Sequence, residues 1–293
     1  MFPVAGFAWK YSSAFYDTSV VDQQAEHEAV HAQALSCLRE GIREPLFGQT
    51  TIGWSERCVE VPWVSGHLAS SRTLLDIGWS MSPPEWLRVL LAARDTGTSL
   101  TGIDIIDPRR VSSRYPPDIR DKVLSVPVRV EDFLTAQPNG ESFDTITCLS
   151  TLEHIGFDVA SAPEDTDSAF VRAKSPEQAS SERSSTVDHE FMNAAAEFLQ
   201  PGGRLLVTVP AGQGTPILHQ DSLGLFTYQY EYDETSWRLL TEDPRFAILE
   251  EVFFRYSSVD GWHQVSWFSD LADQTSALMP FATGCALVCL ERR

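Results

Sequence analysis

Acidic residues at the ends of apolar runs are the part of this sequence best suited to chemistry. Asp76 lies in Leu74-Leu75-Asp76-Ile77-Gly78-Trp79-Ser80-Met81-Ser82, and Asp104 in Gly102-Ile103-Asp104-Ile105-Ile106. Asp132 and Phe133 follow the apolar run 126–130. Glu153 and His154 follow the run 143–148 through Leu149-Ser150-Thr151-Leu152. Two carboxylate oxygens suit the two hydroxyls of a ribose, and a histidine near its own pKa can take or give a proton. An acid with an aromatic neighbour can hold an adenine amino group and cover the ring. Each residue also has an ordinary use: a strand-end acid, a helix cap at Asp132, core filling by Phe133, a structural His154.

A second pattern is His27-Glu28-Ala29-Val30-His31, which matches the zinc-protease motif H-E-x-x-H. On a helix the two histidines share a face and Glu28 serves as general base. Its flanks are polar (Gln23, Gln24, Glu26, Gln33), and no third ligand with a motif follows, Glu56 and Glu60 being no more than candidates. A solvated helix accounts for the same residues.

These groups need a frame. The run around Asp76 reads as a buried parallel strand, a tight turn at Gly78, and a helix opening at Pro83-Pro84. Strand, glycine turn and helix N-terminus form the ligand crevice of an open α/β sheet. A dinucleotide would need Gly-x-Gly-x-x-Gly, and here Gly78 is the one glycine. Further strands are expected at 99–106, 126–130, 143–148, 204–209, 246–256 and 284–290, with helices at 17–41, 85–94 and 188–199. Residues 58–64 read as an extended connector. Residues 160–185, rich in Ser, Ala, Glu, Asp and Pro, read as a lid or a disordered insert. Residues 212–234 read as a long loop dense in His219, Asp221, Phe226, Tyr228, Tyr230, Glu231, Tyr232 and Asp233. That mixture suits a hydroxylated or aminated ligand, or a helical cap that packs its own aromatics.

The chain has 293 residues, a formal charge of −19 and only three lysines (Lys10, Lys122, Lys174). Such a surface repels nucleic acid and anionic membranes, and it is compatible with a cationic partner or with simple solubility. The N-terminus lacks the pattern of a signal peptide, and no apolar run reaches a membrane span. Five cysteines without a Cys-x-x-Cys pair point to reduced thiols in the cytoplasm.

From about Cys58 onward, the order of pieces resembles the class I S-adenosylmethionine-dependent methyltransferases. Four segments carry it: 74–82, 102–107, 143–155, and Leu199-Gln200-Pro201-Gly202-Gly203-Arg204-Leu205-Leu206-Val207-Thr208-Val209-Pro210. The resemblance implies a Rossmann-like, doubly wound α/β fold with a seven-stranded, mostly parallel sheet and an antiparallel last strand. Carried over by position, Asp76, Ile77, Gly78, Trp79 and Ser80 hold the methionine end of the cofactor. Asp104 and Ile105 meet the ribose, Asp132 and Phe133 the adenine, and Ser150, Thr151 and Leu152 the sulfonium side. The departure is at the turn, where Ser80 and Ser82 stand in place of glycines.

The chain also looks like the natural-product branch, whose members modify sugars and aminosugars. The expectation is therefore an N-methyltransferase of an aminoglycoside-type amine in antibiotic biosynthesis. Glu153 and His154 take the proton, Asp221, Tyr228, Tyr230, Glu231 and Asp233 bind the acceptor, and no residue is assigned to a metal. Residues 1–60 form a helical cap and 61–293 the catalytic domain, with the insert at 160–185 and a substrate loop at 211–234. An O-methyltransferase of a neutral sugar or phenol, a cofactor-binding module without catalysis, and a zinc protease remain the alternatives.

Overall fold

A computed structural model describes residues 8–11, 23–156, 186–214, 216–220, 226–275 and 281–293. The expected insert at 160–185 lies outside them, as does Asp221. In chain order the elements are β1 (Ala8–Tyr11), α1 (Gln23–Glu40), α2 (Arg57–His67), β2 (Thr73–Ile77), α3 (Pro84–Asp95) and β3 (Ser99–Asp104). They continue with α4 (Arg120–Leu124), β4 (Val128–Val130), β5 (Phe143–Leu149), α5 (Val187–Phe198) and β6 (Leu199–Pro210). The last are β7 (Pro216–Gln220), β8 (Phe226–Tyr230), α6 (Glu234–Thr241), β9 (Phe246–Ser257), β10 (Gly261–Val265) and β11 (Gly284–Arg292).

The main sheet runs β10-β9-β11-β6-β5-β2-β3-β4. Strands β4, β3, β2, β5 and β6 are parallel, and β11 is antiparallel to both β6 and β9. The chain winds outward from β2 through β3 to β4 and then returns to β5 on the other side. The switch point therefore lies between β2 and β5, where the carboxyl ends of parallel strands leave a crevice. The Rossmann-like frame is thus present, but the sheet has eight strands where seven are expected. The eighth, β10, forms an antiparallel hairpin with β9 through the turn before Gly261. Its Trp262 is fully buried: the backbone N–H donates to Thr51 Oγ1 at 2.9 Å and the indole Nε1 to Trp54 O at 3.0 Å.

One apolar layer covers each face. Val30, Trp63, Trp86 and Leu90 from α1, α2 and α3 pack with Cys285, Leu287 and Cys289 of β11. Phe191, Phe198 and Trp237 from α5 and α6 pack with Leu75, Ile146 and Val207 on the other side. All five cysteines are unpaired and buried. Among the described residues, no helix is long and apolar enough to cross a membrane.

Two expected segments differ. Residues 58–64 are part of helix α2, although Val59, Val61, Pro62 and Val64 favour extended chain. Pro62 cannot bond the carbonyl four residues earlier. That carbonyl, Cys58 O, accepts instead from Leu46 N at 2.9 Å. Tertiary contact repairs the break, and burial of Val59, Trp63 and Val64 outweighs propensity. The expected boundary at residue 60 falls within this helix. The expected loop 212–234 contains an antiparallel hairpin, β7 with β8, and β1 joins it in parallel to β7.

Gly66 tests how tightly α2 is held. A β-carbon there would fall 1.9 Å from Ile42 O, a backbone atom. Helix propensity favours Gly66→Ala by ~1 kcal/mol, whereas forced overpacking costs ~1–3 kcal/mol or more. Gly66→Ala should therefore lower the denaturant midpoint, and an unchanged or higher midpoint would show that α2 does not pack against this connector as described.

Candidate active site

The candidate site gathers around the carboxyl ends of β2, β3, β5 and β6. After β2 the chain turns at Gly78, whose φ of +85° is left-handed. A β-carbon at Gly78 would also fall 2.4 Å from Thr151 Oγ1, so the turn is packed directly onto the segment after β5. Trp79 is fully buried against Gly102 of β3, where a β-carbon would meet its ring at 2.7 Å. Its indole Nε1 has no hydrogen-bond partner. The serines of the turn have work of their own. Ser80 N donates to Asp104 Oδ2 at 2.8 Å, Ser80 Oγ to Ile106 O at 2.6 Å, and Ser82 Oγ to Gly78 O at 3.0 Å. Ile77 and Ser80 are buried beside them.

Two buried carboxyls flank this turn. Asp76 is fully buried, and its Oδ1 accepts from Trp86 Nε1 at 2.9 Å and Thr147 Oγ1 at 2.7 Å. Its Oδ2 has no partner. Burial pushes the Asp76 pKa up to about 7, against the pull of those two donors and with help from Asp104. Asp104 accepts from Ser80 N through Oδ2 and from Ile106 N through Oδ1, and burial raises its pKa to about 6. Ile105, next in the chain, is 50% exposed, an apolar surface beside a buried acid.

Beyond β4, Asp132 is exposed and accepts from Leu134 N at 2.9 Å, as a cap does. Phe133 is core: it lies 5.5 Å from the rings of both Phe191 and Phe198 and is 4% exposed. Leu152 is likewise fully buried core. Neither side chain is positioned to cover a ligand.

The segment after β5 is held from α2. Ser150 has a left-handed φ of +42°, a conformation that costs a non-glycine residue. Its N–H donates to Thr208 Oγ1 at 3.0 Å and its hydroxyl to Glu60 Oε2 at 2.9 Å. Thr208 Oγ1 in turn donates to the same Glu60 oxygen at 2.6 Å. Arg57 pairs with Glu60 Oε1 and stands 3.9 Å from Glu56. Burial raises the Glu60 pKa, while Arg57 and the two hydroxyls draw it back. Glu153 is 2% exposed, its Oε2 has no partner, and Oε1 lies 3.9 Å from His154 Nε2. Burial pushes its pKa well above the carboxylate range, and Glu60 adds to the shift. The His154 side chain is 39% exposed. Arg57 and Thr208 carry no sign of a site in the sequence, and Glu60 stands out there only as a candidate ligand for the H-E-x-x-H pattern. An Arg-x-x-Glu pair is a signal only once that stretch is known to be helical.

The described acceptor candidates lie on β8 and in the turn into α6. Glu231 is fully buried and accepts from Gln213 N at 3.2 Å. Asp233 caps α6 by accepting from Ser236 N at 2.7 Å, and the Tyr230 hydroxyl lies 3.0 Å from Ser236 Oγ. Tyr228 stands opposite Leu218 in the β7–β8 hairpin. In the H-E-x-x-H helix, His27 pairs with Glu85 of α3, and Glu28 accepts from Gln24 at 2.6 Å. No group of three His, Cys, Asp or Glu able to hold a metal occurs among the described residues.

No family model matches the chain, and no curated protein does. Solved structures do. An S-adenosylmethionine-dependent methyltransferase from Methanosarcina mazei is 15% identical, covering 79% of this chain and 97% of that one at a TM-score of 0.48. N-methyltransferase NodS from Bradyrhizobium japonicum is 14% identical over 93% and 99%, with a TM-score of 0.43. The 1,6-didemethyltoxoflavin-N1-methyltransferase of Burkholderia thailandensis, bound to 1,6-didemethyltoxoflavin and S-adenosylhomocysteine, is 13% identical over 96% and 84% at 0.41. Similarity this distant leaves the function to be argued from the chain's own residues.

The raised pKa of Asp76 makes a stability prediction. A folded pKa of about 7 against an ordinary 3.8 means the folded state holds this proton more tightly. Its contribution is intact below the ordinary value and is lost as pH rises toward 7. Asp76→Asn keeps the Oδ1 acceptor and mimics the protonated acid. It should leave stability unchanged near pH 4 and raise it at pH 8, by ~4 kcal/mol at most for three pKa units. Equal stability of variant and wild type across this range, by urea unfolding, would contradict the buried, proton-holding Asp76.

Proposed function

We propose that this chain is an S-adenosylmethionine-dependent methyltransferase that methylates an amine of a small, cationic, sugar-containing acceptor of the aminoglycoside type. The observation that carries the reading is the set of buried acids at the switch point: Asp76 and Glu153, each with an unpartnered oxygen, and Asp104 beside exposed Ile105. Buried polar atoms without partners are uncommon, and these sit at the ends of adjacent parallel strands. The cofactor fits them chemically. It carries an ammonium, two ribose hydroxyls, an apolar base and a sulfonium charge. Asp76 and the Gly78 backbone would hold the amino-acid end, Asp104 the ribose and Ile105 the base, with Ser150 and Thr151 toward the sulfonium. Phe133 and Leu152 drop out of that set, since both are core.

When bound, S-adenosylmethionine supplies an electrophilic methyl group. The chain's own residues position the acceptor, keep water away and take a proton. An ammonium has no lone pair, so it must lose one proton before it can accept a methyl group. His154 or Glu153 would receive it. Positioning can supply ~7–11 kcal/mol, a single base only ~10²–10⁴ in rate, so the shape of the site outranks either residue. The charge of −19 supports a cationic acceptor such as an antibiotic aminosugar, and five unpaired thiols fit a cytoplasmic setting.

The test is mass spectrometry of acceptors incubated with S-adenosylmethionine at several ionic strengths. Aminoglycosides should gain a methyl group on nitrogen, with KM rising steeply with salt as the steering field is screened. Turnover of neutral glycosides or phenols alone, insensitive to salt, would instead establish O-methylation.

A further inference from the structure

Glu153 has no arginine or lysine of its own among the described residues, and its ion-pair contact is with His154. Glu60 and Glu56, from α2 and the turn before it, oppose its charge, and Arg57 supports it. That arginine is already committed to Glu60 and stands beside Glu56. From its own segment Glu153 meets His154 at 3.9 Å. Cys148 on β5 and Cys285 on β11 feel its charge and are buried, neutral thiols with pKa values pushed far up. So three carboxyls share one arginine, and the carboxyl left over is 2% exposed with Oε2 unpartnered. Glu60 is anchored by Ser150 after β5 and by Thr208 on the neighbouring β6, and these bonds oppose any swing that would relieve the repulsion.

We propose that Glu153, backed by Glu60 and Arg57, is a cation-receiving site that trades its proton for the positive centre of a sulfonium or ammonium ligand. This rests on the methyltransferase reading and specifies what that site recognises. The step is an exchange: the neutral carboxyl loses H⁺ to solvent, the carboxylate stays beside the cation, and no bond to the ligand forms. Methyl transfer moves the positive charge from sulfur to nitrogen, so the site holds one cation before and after it. A neutral thioether product lacks that charge and leaves Glu153 protonated. The device would thus distinguish charged cofactor from spent cofactor by proton linkage. An opposite charge within hydrogen-bonding range lowers a carboxyl pKa by roughly 1–3 units, and each unit equals about tenfold in affinity.

The experiment is titration calorimetry of the full chain at pH 7, in buffers of different ionisation enthalpy. The ligands are S-adenosylmethionine, S-adenosylhomocysteine, and kanamycin added to the S-adenosylhomocysteine-loaded protein. Glu153→Gln, which has the shape of the protonated acid, supplies the baseline, with thermal unfolding to check its fold. The wild type should release up to about one proton more with the sulfonium than with the thioether. Glu153→Gln should abolish that difference and weaken the sulfonium ligand ~10-fold or more, leaving the thioether within about threefold. Glu153-dependent release with S-adenosylmethionine identifies the sulfonium as occupant. Release seen only on adding kanamycin identifies the acceptor ammonium. If both nucleosides bind and no arm shows release that depends on Glu153, the cation site is wrong and the methyltransferase reading stands. If neither nucleoside binds, that reading falls, and this inference falls with it.

Discussion

A carboxyl buried at the end of β2 is the constraint on which the rest of the site depends. Asp76 cannot be solvated where it is, so it must be neutralised or supplied with donors. The indole of Trp86 and the hydroxyl of Thr147 provide them, which ties helix α3 and strand β5 to the strand between. Everything downstream is packed from that point. Gly78 lies against Thr151, Trp79 against Gly102, and Ser80 against Asp104. Three segments distant in sequence are thus locked into one edge, and a shift in any of them propagates to the others.

Helix α2 secures the fourth segment. Its N-terminal turn reaches the carboxyl edge, where Glu60 accepts from Ser150 and Thr208. Its C-terminal end reaches across the sheet face, where Trp63 donates to Glu250 of β9 at 3.0 Å. The left-handed Ser150 persists because three hydrogen bonds, to Glu60 and to the side chain and backbone of Thr208, over-determine it. A helix that reads as a connector therefore sets the geometry of the residues that would do chemistry.

The parallel strands were legible because short runs such as 74–77 and 143–149 carry apolar and β-branched residues between turn signals, and both are buried almost throughout. The acids at their ends were legible for the same reason, since a charge closing a buried strand stands out. What escaped was non-local. Pro62 argues against a helix unless Leu46 is known to cover Cys58 O. The β10 strand depends on docking against Thr51 and Trp54, more than two hundred residues earlier. Phe133 could cover a ring or fill core, and only the placement of Phe191 and Phe198 decides for core. Glu231 and Asp233 look available for a ligand in the sequence, and in the structure one oxygen of each accepts from a backbone N–H, that of Gln213 and of Ser236.

The central claim is that the switch-point edge binds the nucleoside cofactor. Hydrogen exchange read by mass spectrometry, with and without S-adenosylhomocysteine, locates that contact. Slowed exchange should concentrate at 77–82, 104–106 and 150–154, the segments that Asp76 and its neighbours lock together. Saturating binding with those three segments unchanged would contradict the account.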